Sequence, residues 1–281
     1  MLCNGDTYFD INLFDFIKNF DNNKVCSLAC SSSQKNLARY SSFSHKNNKY
    51  VSSGIYLFNK KKIKKFLIKK GSLENEVLKK IPKKGIKFVK YKKKFIDIGT
   101  PKDLKKANKF LKSCFRKKCS FLDRDGVINY DLGYVHKRKN FFWKKNVIKT
   151  IKYLNDNNYY VIVISNQSGI GRGLYKEEDV EKLHTWINQT LNEKGAYVDK
   201  FYYAPYYKYS KNKKYTKGKI NRKPNIGMFL KAFYEFDIIK KSSFYVGDKD
   251  IDKTAAKNLG IKYFNVDNNS DLYNVLFSRK K

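Results

Sequence analysis

No stretch of this sequence stays apolar for the roughly 18 to 20 residues that a membrane-crossing helix needs, and the acidic opening MLCNGDTYFD lacks the basic-then-apolar layout of a secretory signal. Both absences point to the cytoplasm and away from a membrane. Histidine is scarce: His45 lies in a polar stretch, His184 on an amphipathic pattern and His136 behind a GYV turn. The first two read as solvated or packing side chains. The five cysteines (Cys3, Cys26, Cys30, Cys114, Cys119) are odd in number, and their spacings match no four-ligand zinc pattern, so they are expected to be reduced and structural. No internal repeat is visible. Acidic side chains are few, 25 against 61 lysines and arginines, which leaves a net charge of +36. Such a charge suits nucleic acid or an anionic surface. The lysines are spread over the whole chain among Asn, Ile and Tyr, however, rather than gathered into one footprint, so nucleic acid is not the expected partner and a small anionic substrate suits the field equally well.

What is present is a globular composition, with 41% hydrophobic and 16% aromatic residues, in a chain of 281 residues that is long enough for two modest domains. From about residue 115 onward, short apolar runs alternate with longer amphipathic ones, in the rhythm of a parallel α/β sheet. CSFLD (119–123), YYVIVIS (159–165), KFYYAPY (200–206), SFYVGD (243–248) and KYFNVD (262–267) read as strands. Helices are expected over 143–157 and 177–195, and over NIGMFLKAFYEF and DIDKTAAKNLG. The expectation is a doubly wound, Rossmann-like domain over 113–281, preceded by a less regular α/β unit over 1–112.

Ligands of such sheets sit at the carboxyl ends of the strands. Four apolar runs end there in polar residues: Asp123-Arg124-Asp125, Ser165-Asn166, the loop before Arg222-Lys223, and Gly247-Asp248. Asp123 and Asp125, two apart, can both face the mouth, where their repulsion calls for a hard divalent cation that Asp248 would help to hold. Asp123 can then attack phosphorus, Asp125 can exchange the proton with the leaving oxygen and later with water, and Lys223 with Ser165 can hold the phosphoryl oxygens. A lone Asp-x-Asp is as readily a turn or a helix cap. Four matched elements at four strand ends favour the site.

These residues resemble the four motifs of the haloacid dehalogenase superfamily of phosphatases, in FLDRDGVIN (121–129), VISNQS (163–168), RKP (222–224) and VGDKDID (246–252). DLGYVH (131–136) and NQSGIGRG (166–173) are similar to the D-glycero-D-manno-heptose 1,7-bisphosphate 7-phosphatase branch, which shares much of its pattern with histidinol-phosphate phosphatases. The resemblance implies Asp123 as nucleophile and Asp125 as proton donor, with Mg²⁺ on Asp123, Asp248 and the main-chain carbonyl of Asp125. It implies Ser165 and Lys223 at the phosphoryl group, and substrate contacts from Asp131, Leu132, Gly133, Tyr134, Asn166, Gln167, Ser168, Arg222 and Lys249. Many members of that branch hold a structural zinc where this chain has Ala204-Pro205-Tyr206 and Lys219-Ile220-Asn221, so zinc is expected to be absent and the lysine-rich loop 208–221 to be mobile.

NGDTYFDINL (4–13), SSGIYLFN (52–59), GSLENEVLKKI (71–81) and FIDIGTPKDLKKA (95–107) resemble the later part of a sugar-1-phosphate nucleotidyltransferase of the heptose-1-phosphate guanylyltransferase type. That likeness implies magnesium on Asp6 and Asp97, with Glu74 near the sugar. The family's glycine-rich nucleotide loop lies upstream of the GD turn, so no transferase activity is expected from this chain alone, and an exposed sheet edge open to association is. The two likenesses together imply a sugar phosphatase of nucleotide-heptose biosynthesis, for lipopolysaccharide or S-layer glycan, on the GDP-linked α-anomer branch. A histidinol-phosphate phosphatase, and a basic nucleic-acid-binding or polynucleotide 3′-phosphatase protein, are the alternatives.

Overall fold

The computed structural model describes residues 1–32, 42–45 and 48–278, and it divides into two compact units, Met1–Cys114 and Phe115–Lys281. The first unit contains β1 (Leu2–Cys3), β2 (Thr7–Phe9), α1 (Leu13–Lys18), β3 (Cys26–Ser31), β4 (Ser42–His45), β5 (Asn48–Phe58) and α2 (Lys60–Ile63). β6 (Ile86–Tyr91), β7 (Phe95–Asp97) and α3 (Pro101–Phe115) follow. Its main sheet runs β1-β5-β3-β6 with β4 beside β5; only β3 and β6 are parallel, and β2 pairs antiparallel with β7. The last pairing sets Thr7 opposite Asp97 and bonds Ile98 N to Asp6 O at 2.7 Å, which brings Asp6 and Asp97 close together. His45 ends β4 rather than sitting in a loop.

In the second unit, β8 (Lys118–Leu122), α4 (Val147–Asp156), β9 (Tyr159–Asn166), α5 (Glu177–Glu193) and β10 (Lys200–Ala204) are followed by α6 (Gly227–Glu235), β11 (Phe244–Gly247), α7 (Asp250–Leu259), β12 (Lys262–Asn265) and α8 (Leu272–Phe277). The five strands form one sheet of order β10-β9-β8-β11-β12, parallel throughout. This is the doubly wound α/β architecture expected from the alternating pattern. The helix expected from residue 143 starts at Val147, because Trp143 is taken by an antiparallel bridge to Asn129.

The period of two along the strands sorts the core into two layers. Leu122, Val161, Val163 and Val246 pack with Val147, Ile151, Leu183 and Ile187 of α4 and α5. Phe121, Ile162, Ile164 and Tyr245 face the other way, against Met228, Phe229 and Ala232 of α6 and Ala255 and Ala256 of α7. Strands buried on both faces have continuous apolar sequences, as these do. Because every strand is parallel, the residues that end β8, β9 and β11 lie along one edge of the sheet. No helix among the described residues is long and apolar enough to cross a membrane.

Phe229 is fully buried and meets the rings of Phe121 and Tyr245 edge-to-face, each at 5.1 Å between centroids. Phe229→Ala is expected to cost about 3–5 kcal/mol of unfolding free energy, measured by urea denaturation followed by circular dichroism.

Candidate active site

Asp123 directly follows β8, and its N–H continues the strand pairing onto Val246 O at 2.9 Å. Its Oδ1 accepts from the N–H of Arg124 at 2.7 Å and its Oδ2 lies 2.8 Å from Lys223 Nζ. Lys223 is buried, and its ammonium also reaches Asp252 Oδ1 at 2.8 Å and donates to the Tyr245 hydroxyl at 2.9 Å. Burial pushes the Asp123 carboxyl up to about 7, in spite of the Lys223 charge beside it. The two carboxylates hold the lysine ammonium above its ordinary range although burial acts the other way.

Asp248 follows β11 and shares this edge: carboxylate oxygens of Asp123, Asp248 and Asp252 all lie within 4.8 Å of one another. Asp252 has both its oxygens engaged, one by Lys223 and Tyr245 and the other by the Lys249 N–H at 3.1 Å, which caps α7. Asp248 Oδ1 is buried without a hydrogen-bond partner among the described residues, and burial raises its carboxyl above the ordinary range. Three carboxylates thus face one ammonium, a formal surplus of two negative charges. An orphaned buried oxygen within that surplus fits a hard divalent cation with oxygen ligands. Asp123 and Asp248 would hold it, while Asp252 positions Lys223. Gly126, at φ +86°, admits this packing, because a Cβ there would stand 2.2 Å from Asp248 Oδ2.

The Asp125 side chain has partners of its own. Its oxygens accept from the Arg124 guanidinium (2.8 and 3.0 Å), from Asn129 Nδ2 (2.9 Å) and from Gln167 Nε2 (2.9 Å). Only its main-chain carbonyl remains for the metal position that the sequence suggested. Arg124 itself is fully buried, bonds the Val135 carbonyl and lies 3.4 Å from His184 Nε2. His184, expected as a packing or solvated residue, is therefore buried, stacked on Phe201 at 4.5 Å and held neutral by burial and by the arginine beside it.

Two expected substrate contacts have other partners. Gln167 is buried, and it donates to Asp125 and to Ser165 Oγ (2.8 Å) while accepting from the Tyr175 hydroxyl (2.8 Å), which commits it to placing Asp125 and Ser165. Asn166 accepts from the Lys223 N–H at 3.0 Å and donates to the Lys223 carbonyl at 3.1 Å, and so fixes the lysine's backbone. The substrate turn is open: Leu132 and Tyr134 are exposed, Gly133 N–H bonds Asp131, and Asp131 pairs with Lys249 at 2.7 Å. His136 stacks on Tyr175 at 4.4 Å. Ser168 is half-buried in the turn after β9, and its carbonyl accepts from Arg172 N at 3.0 Å. Arg222 is half-buried and donates to the Tyr206 carbonyl at 3.0 Å.

Sequence reading missed Asp252, Tyr245, Tyr175 and Lys144. Asp252 had a signal, since it lies one helical turn beyond Asp248 in VGDKDID. Lys144 had none: it is buried, donates to the Gly126 carbonyl at 2.7 Å and also bonds the Asp267 carbonyl, so that it braces the loop beneath Asp248.

The family model described as polynucleotide kinase 3 phosphatase matches residues 123–268, just over half of the chain. A D-glycero-beta-D-manno-heptose-1,7-bisphosphate 7-phosphatase of Rhodopseudomonas palustris is 39% identical over 149 residues, which cover 53% of this chain and 83% of that protein. A D-glycero-alpha-D-manno-heptose-1,7-bisphosphate 7-phosphatase of Photorhabdus laumondii is 38% identical over 144 residues, 51% of this chain and 79% of its own. The chain belongs to this phosphatase family, within the haloacid dehalogenase superfamily. It is a phosphoric monoester hydrolase. A solved D,D-heptose 1,7-bisphosphate phosphatase of B. bronchiseptica, complexed with magnesium and phosphate, is 26% identical, with a TM-score of 0.48 over 57% of this chain and 85% of that one. The matched region lies in the second unit and contains Asp123, Asp125, Lys223 and Asp248 of this phosphatase domain.

Gly126→Ala is expected to lower stability and to abolish turnover together, because the added methyl displaces Asp248; Tm and phosphate release check it in one preparation. His184 provides a pH signature. Its folded-state pKa is depressed, so as pH falls below about 6.5 the unfolded chain takes up a proton that the fold refuses, and stability declines by up to about 1.4 kcal/mol per pH unit. Asp123 acts in the opposite sense, because its raised pKa favours the fold as pH drops below about 7. Urea midpoints between pH 8 and 5 are therefore expected to fall less steeply toward acid in His184→Gln than in the parent.

Proposed function

We propose that this phosphatase removes the 7-phosphate of D-glycero-D-manno-heptose 1,7-bisphosphate through an aspartyl-phosphate intermediate, in the cytoplasm, as a step of nucleotide-heptose synthesis. The observation that carries the chemistry is the clustering of Asp123, Lys223 and Asp248 at one sheet edge, with Asp125 held beside them by Arg124, Asn129 and Gln167. The substrate is supported by relatives at 36–40% identity that carry that activity in their names, for both anomers. The GDP-linked α-anomer is favoured by the likeness of the N-terminal unit to a guanylyltransferase, in which Asp6 and Asp97 lie together. The same unit is a candidate surface for association.

In this reading, Asp123 attacks the phosphorus and the bond to the sugar oxygen breaks as Asp125 delivers its proton to that oxygen. Water, losing its proton to Asp125, then attacks the phospho-aspartate, which frees phosphate and restores both carboxyl groups. Lys223 stays within reach of Asp123 and of the phosphoryl oxygens throughout, because Asp252, Tyr245 and Asn166 leave its chain no freedom. Magnesium, when bound to Asp123 and Asp248, supplies charge neutralisation to the phosphoryl oxygens and to the cluster itself.

A polynucleotide 3′-phosphatase is the second reading, favoured by the description of the matching family model. The two differ in salt dependence: binding to a 3′-phosphorylated oligonucleotide would weaken steeply as salt rises, and a sugar phosphatase shows no such affinity at physiological salt. A panel of phosphomonoesters with magnesium decides between them, and the first reading is lost if the heptose bisphosphate ranks below histidinol phosphate or the oligonucleotide. Asp123→Asn keeps shape and removes the attacking charge, so turnover is expected to fall by at least about 10³-fold while Tm is retained. Turnover near the parental level in that variant would disprove the covalent mechanism.

A further inference from the structure

The loop that leads from β10 to α6 folds back onto the first turn of α5. Lys214 Nζ stands 2.6 Å from Glu177 Oε1, the Tyr215 hydroxyl donates to the same oxygen at 2.8 Å, and the Tyr203 hydroxyl, from β10, shares its proton between Glu177 Oε2 and Glu181 Oε1, each at 3.1 Å. One carboxylate thus collects donors from the loop tip and from the strand that launches the loop. The lysine is 68% exposed, so its ion pair adds little by itself, and the Tyr215 hydroxyl carries the attachment of the loop. The Tyr215 ring packs on Ile170, Tyr175 and Val180. Tyr175 in turn bonds Gln167, which bonds Asp125. The tip of the loop is therefore seated on the same packed cluster that places the proton-transfer carboxylate.

Between this loop, the substrate turn and α5 opens a groove of about 1460 Å³, lined by Tyr134, Arg172, Tyr207, Lys211, Glu178 and Asp179 among others. The Arg172 guanidinium lies 3.8 Å above the Tyr207 ring and 5.9 Å from that of Tyr134, so one face of the groove depends on where the loop puts Tyr207. The lining combines the carboxylates Glu178 and Asp179 of α5 with the cations Arg172, Lys211 and Lys214, so it offers partners to hydroxyl groups and to a phosphate alike.

We propose that Glu177 is a positioning residue that fixes this loop, and with it the wall of the groove that receives the part of the substrate remote from the reacting phosphate. The proposal rests on the sugar-phosphatase reading for its substrate, although the anchoring itself does not. Glu177 touches none of the reacting groups. Its removal is expected to weaken binding of the remote part and to leave the chemical step alone.

Kinetics of Glu177→Ala, Glu177→Gln and the parent on the heptose bisphosphate and on p-nitrophenyl phosphate test it, together with the rate of trypsin cleavage after the lysines of 208–219. In Glu177→Ala the KM for the bisphosphate is expected to rise about tenfold with kcat within about twofold, p-nitrophenyl phosphate is turned over as by the parent, and cleavage of the loop is faster. Glu177→Gln, which keeps an acceptor oxygen, falls between the two. Lys214→Met, at an exposed position, guards against a folding defect and is expected to give a smaller change in the same direction. An unchanged KM, or an equal loss of kcat on both substrates, overturns the positioning role. If the parent itself does not hydrolyse the heptose bisphosphate, the substrate reading fails, and the trypsin comparison still decides the anchoring: equal cleavage of parent and variant refutes it.

Discussion

A lysine ammonium with almost no access to water, held between two carboxylates, is the constraint on which the rest of this phosphatase domain depends. Lys223 could not be buried in charged form without Asp123 and Asp252, and neither carboxylate could be buried without it. Each of the three comes from a different part of the chain: the end of β8, the loop before α6 and the first turn of α7. The ion pairs therefore form only when the parallel sheet has brought those segments to one edge. Asp248 lies beside them with a buried oxygen that has no hydrogen-bond partner among the described residues, which fits a cation at this place.

A second network holds Asp125. Arg124 alternates with Asp123 and Asp125 at the strand end and points into the protein, where it holds Asp125 from below. Gln167 and Asn129 hold it from the sides. Asp123 and Asp125 thus stand two residues apart with unlike surroundings, a lysine and a prospective metal for one and a ring of neutral and cationic donors for the other. In the proposed mechanism these unlike surroundings accompany unlike roles, nucleophile for Asp123 and proton carrier for Asp125.

The parallel sheet, the order of its elements and the strand-end carboxylates could be read from the chain, because apolar runs of strand length alternate with amphipathic helices and end in Asp123, Ser165 and Asp248. Helix bounds were less legible. Trp143 and Lys144 have the composition of a helix start, yet a bridge to Asn129 and a buried ammonium under Gly126 occupy them. Substrate contacts from Asn166 and Gln167 were implied by the family likeness, and their partners within the fold, the Lys223 backbone for one and Asp125, Ser165 and Tyr175 for the other, were not legible in the chain.

By itself the sequence determined which chemistry is available, since residue type and motif spacing decide where a nucleophile, a proton carrier and a phosphate anchor can stand along each strand. Which groups share a charge was decided only in three dimensions. Asp252 with Lys223, Arg124 with Asp125 and Glu177 with the loop that ends near Lys219 are all pairings set by direction and burial. A period of two or of 3.6 says that a side chain faces a layer, but the partner it meets there depends on how the neighbouring segments are packed.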